Sequence, residues 1–83
     1  SETMRRVSLQ SAIRDLSLEY QSLKTLQKEQ QKLLGLFEEG YRISKGSLLD
    51  LMLTKRRLIE TGKALLQTKK LANDQRIELN YLQ

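Results

Sequence analysis

Gly40-Tyr41-Arg42-Ile43-Ser44-Lys45-Gly46-Ser47 is the strongest break in this chain, and it separates two long stripes of leucine. The break holds two of the four glycines. Clustered Gly and Ser interrupt helical periodicity and favour a reversal of the chain. Upstream, positions alternately three and four apart read Leu9, Ile13, Leu16, Tyr20, Leu23, Gln27, Gln30, Leu34, Phe37 and Tyr41. Eight of those ten are apolar. A strand would repeat every two residues, so this alternation marks a coiled-coil seam.

Downstream, Leu51, Leu58, Leu65, Ala72 and Leu79 recur every seven residues, with Met52, Ile59 and Leu66 beside them. Three residues after the first four stand Thr54, Thr61, Thr68 and Gln75. That small, polar edge is expected to suit close approach of further helices, or water. Ser47 is a natural N-cap for the second helix, since its hydroxyl can accept from an otherwise orphan amide one turn in. Asp50 then falls in the first turn, where the helix dipole favours a carboxylate.

Heptads and cap chemistry predict a helix over about 7–39, a tip turn over about 40–47 and a helix over about 48–82. Residues 1–6 read as an appended remnant or a flexible start. A short connection makes the helices antiparallel, and arms of about 33–36 residues at 1.5 Å each extend on the order of 50 Å. The expected fold is therefore all-α, an antiparallel two-helix coiled-coil hairpin. Leu18, Leu26, Leu33, Leu36, Met52, Ile59 and Leu66 flank the seams and find no cover in a two-helix rod. Association into a larger helical bundle is expected, with an isolated hairpin of marginal stability.

Composition narrows the chemistry. Cysteine and histidine are absent, which removes disulfides, thiol nucleophiles, imidazole bases and most zinc or copper ligation. No glycine-rich phosphate loop and no nucleophile–base pair is present. The reading is a protein without catalytic residues, metal or cofactor. Apolar residues never run to the roughly 18 positions that a membrane-spanning helix needs, so this segment is not expected to span a membrane. The net charge of +5 fits a solvated, ion-paired helix surface. Lys55-Arg56-Arg57, with Lys45, Lys69 and Lys70, could form a stripe for phosphates, but no aromatic residue stands nearby to stack on bases. No nucleic-acid partner is expected.

From Tyr41 the chain runs Tyr41-Arg42-Ile43-Ser44-Lys45-Gly46-Ser47-Leu48-Leu49-Asp50-Leu51-Met52, then Leu53, Thr54, Lys55 and Arg56. This segment resembles the hairpin tip of the TolC family of outer-membrane efflux proteins. There a tyrosine ends one helix, a Gly and Ser turn follows, and a Leu-Asp-Val/Leu-Leu segment opens the returning helix. Two departures stand out. The family's usual glycine three after the tyrosine is Ser44 here, with Gly46 expected to supply flexibility, and Thr54 replaces a small residue. The likeness covers about residues 30–83; the first helix matches in periodicity alone.

The resemblance implies a passive export conduit. Family members are trimers whose hairpins line a hollow periplasmic tunnel continued by a β-barrel in the outer membrane, so this segment would lie in the periplasm. Tyr41, Ser44, Gly46, Ser47, Leu48 and Leu49 would dock a periplasmic adaptor protein that connects to an inner-membrane pump. Asp50 would contribute to an acidic ring at the tunnel mouth, or simply compensate the helix dipole. A periplasmic adaptor hairpin, a generic coiled-coil oligomerisation or scaffold module and a basic nucleic-acid-binding hairpin are the alternatives.

Overall fold

The computed structural model describes residues 1–82. Helix α1 spans Glu2–Arg42 and helix α2 spans Leu48–Tyr81, and they return on each other as an antiparallel hairpin. The rod measures 62 × 14 × 14 Å. Its length is that of α1 itself, since 41 residues rising 1.5 Å each give about 62 Å.

α1 begins at Glu2, earlier than the expected Val7. Ser1 caps it by accepting from the Met4 amide at 3.3 Å. The extra turn has partners because α2 runs far enough to meet it. Arg5 pairs with Glu78, and Arg6 donates to the Leu82 carbonyl at 2.6 Å. A guanidinium at the carboxyl end of α2 also opposes the negative end of that helix's dipole.

The seam follows the heptads. Along α1, Leu9 is buried, and Ile13, Leu16, Tyr20, Leu23, Gln27, Gln30, Leu34 and Phe37 are half-buried. Tyr41, expected as the last seam residue, is instead 47% exposed. Gly40 is half-buried in its place, facing Gly46 across the turn.

The threonine edge is a second departure. Thr54, Thr61 and Thr68 are 2%, 5% and 7% exposed, as deep as Leu51, Leu65 and Ala72. They face α1, not water or further helices. Two of the hydroxyls are satisfied locally: Thr54 Oγ1 donates to the Asp50 carbonyl at 2.8 Å and Thr61 Oγ1 to the Arg57 carbonyl at 3.0 Å. With the hydroxyl turned back on its own helix, each of these two presents a small methyl face to the partner. Small side chains on α2 opposite large ones on α1 leave a furrow of about 360 Å³ between Leu16 and Tyr20 and the Thr68–Ala72 turn.

Little apolar surface is fully buried. Among the described residues only Leu9, Leu51, Leu65 and Ala72 make up the buried apolar core. The flanking Leu18, Leu26, Leu33, Leu36, Met52, Ile59 and Leu66 are exposed by 39–71%, as the spacing predicts. Among the described residues no helix is long and apolar enough to cross a membrane.

Candidate docking tip

The tip is built from the end of α1, five connecting residues and the first turn of α2. α1 closes with a Schellman motif, in which the residue past the cap turns left-handed and two amides reach back to orphan carbonyls. Ser44 is that residue, with φ 62°. Its amide donates to the Tyr41 carbonyl at 3.0 Å, and the Lys45 amide donates to the Gly40 carbonyl at 2.8 Å. The Ile43 amide donates to the Glu39 carbonyl at 3.2 Å. Arg42 pairs with Glu39 one turn back, placing a cation at the helix's negative end.

Gly46 does not supply the flexibility expected of it, because no glycine has positive φ among the described residues. It supplies space. A Cβ on Gly46 would lie 2.7 Å from the Tyr41 amide nitrogen and 2.8 Å from the Gly40 carbonyl carbon. Both neighbours are backbone atoms that a side-chain rotation cannot move. The two roles that the sequence assigns to glycine are therefore divided: Ser44 takes the left-handed turn, and Gly46 permits the close crossing.

Ser47 caps α2 as expected. Its backbone is extended at φ −97°, ψ 128°, and its Oγ accepts from the Asp50 amide at 3.3 Å. The Leu51 amide donates to the Ser47 carbonyl at 3.2 Å, the first bond of the returning helix. Asp50 stands in the first turn and is exposed.

All seven singled-out positions lie at one end of the rod, and all are exposed. Tyr41 is 47%, Leu48 51% and Leu49 64% exposed, so three large apolar groups stand in solvent around a hydrogen-bonded turn. Ile43, 53% exposed, joins them. It is the residue that motif reading passed over. Its signal was its place outside the three-four spacing of the seam, where an apolar side chain has no core to enter. The arrangement presents an apolar knob on a hydrogen-bonded backbone. Among the described residues no group of carboxylates is placed to hold a metal ion.

The chain matches no family model, no curated protein and no solved structure.

Proposed function

We propose that this chain is one periplasmic hairpin of a TolC-like outer-membrane efflux channel, forming part of the helical tunnel wall and its adaptor-docking tip. In this reading it conducts passively: the pump supplies the energy, and the hairpin makes and breaks no bond. The observation that carries the reading is the tip. The Tyr41-to-Asp50 motif folds into a capped turn whose apolar residues are offered outward at the end of a long rod.

The shape supports a place among other helices. A compact protein of this mass exposes about 5,100 Å², whereas this hairpin exposes 6521 Å². The surplus is close to what two interfaces of standard size would cover, at about 800 Å² per partner each. Neighbouring hairpins of a trimeric channel would cover the flanking leucines of α1, Leu18, Leu26, Leu33 and Leu36, in this way. A self-associating coiled-coil scaffold is the second reading, favoured by the same flanks but giving no reason for an apolar tip.

Leu48→Arg and Leu49→Arg in the intact gene test the proposal. Both residues are exposed, so the hairpin keeps its fold, unlike a change at Ser47, which caps α2. Loss of export from the cell at unchanged protein level is the expected result. Full export by both variants would overturn the docking role.

A further inference from the structure

We propose that α2 carries a second docking surface, away from the tip, for a helix whose apolar seam is flanked by carboxylates. Met52, Ile59 and Leu66 stand seven residues apart and are 58%, 58% and 71% exposed. They lie outside the hairpin seam, which uses Leu51, Thr54, Leu58 and their heptad successors. Cations border this stripe on both sides, with Lys55 and Lys69 toward the seam and Arg56, Lys63 and Lys70 toward the back of the helix, all exposed. No carboxylate occupies those positions. Glu60 stands at the margin, 3.6 Å from Lys63, and Glu78 turns away to Arg5 on α1.

Three features select the occupant. A seven-residue repeat stays in line only along a supercoiled helix pair, because a straight helix drifts about 20° per heptad. The stripe therefore matches another helix lying along it for about 27 Å, the rise from Met52 to Lys70. Flanking cations then correspond to the positions that choose a coiled-coil partner by charge, and they call for Glu or Asp opposite. A bilayer surface is a poorer match, since an interfacial helix buries a broad apolar face and this stripe is one residue wide. A phosphate polymer would leave the apolar stripe uncovered. The exposed face of α2 carries this inference independently of the channel reading.

Binding of a labelled peptide of about four heptads, with Leu in its seam and Glu in the flanking positions, tests the proposal against a twin carrying Lys in place of Glu. The 83-residue chain should bind the Glu peptide at least about tenfold more tightly than the Lys twin, with affinity falling as salt rises. Ile59→Ser should weaken binding about tenfold while leaving helicity unchanged, since the residue lies outside the hairpin core. Lys55→Glu combined with Lys69→Glu should cut that preference severalfold, since Arg56, Lys63 and Lys70 keep their charge. Equal affinity for both peptides, or indifference to Ile59→Ser, would overturn the proposal. So would uptake by phosphatidylglycerol vesicles without peptide binding, or a dimer of the chain itself that Ile59→Ser dissolves, each of which assigns the stripe to another occupant.

Discussion

Ser44 and Gly46 show how one turn distributes two backbone demands. An L-residue in the left-handed region costs roughly 1–2 kcal/mol, and glycine avoids that penalty. Ser44 bears it, at φ 62°. Ser44→Gly is therefore expected to raise stability by about 0.5–1 kcal/mol, after the extra chain entropy of glycine is set against the relieved strain. Gly46→Ala is expected to lower it by about 1–3 kcal/mol, because the added methyl meets backbone. Denaturant unfolding followed by helical circular dichroism, at one fixed protein concentration, measures both. A loss from Ser44→Gly would show that the serine contributes something beyond its backbone. The motif made both positions visible in the sequence, but which residue turned left-handed was not legible. That depends on the register of the helix end, and a shift of two residues would carry the left-handed turn from Ser44 to Gly46.

At the scale of the helix pair, the seam is interrupted by polar residues that it handles in different ways. Thr54 and Thr61 of α2 donate to carbonyls one turn back on their own helix and pack as small groups. Gln30 on α1 does not find such a solution: its Oε1 is buried and has no hydrogen-bond partner. A buried, unsatisfied amide oxygen costs about 1–3 kcal/mol. Gln30→Leu should accordingly stabilise the hairpin by about 1–2 kcal/mol, through relief of that cost and added apolar burial. The same unfolding measurement decides it, and a loss would mean that the site cannot admit the branched side chain. The seam positions themselves were readable from period alone. The depth of Thr54, Thr61 and Thr68 was not, because a threonine in a heptad row reads as polar until its burial against the partner helix is seen.

For the whole molecule, shape governs stability. The radius of gyration is 18.5 Å, against about 12 Å for a compact domain of this length, and most large apolar side chains outside the seam remain wet. Burial of the α1 flanks Leu18, Leu26, Leu33 and Leu36 by self-association would stabilise the folded state by mass action. The thermal midpoint is thus expected to rise with protein concentration, in step with a sedimentation shift to larger species. A midpoint independent of concentration would show that the single hairpin suffices. Sequence by itself determined the two helices, their antiparallel return, the cap at Ser47 and the stripes left uncovered, because heptad spacing and local capping are properties of neighbours along the chain. Tertiary structure alone decided that α1 extends to Glu2 to meet α2, that Tyr41 leaves the seam, that the threonines are core, and that Gly46 serves as space for a crossing backbone. Each of these depends on the distance and register between two helices, which no local pattern contains.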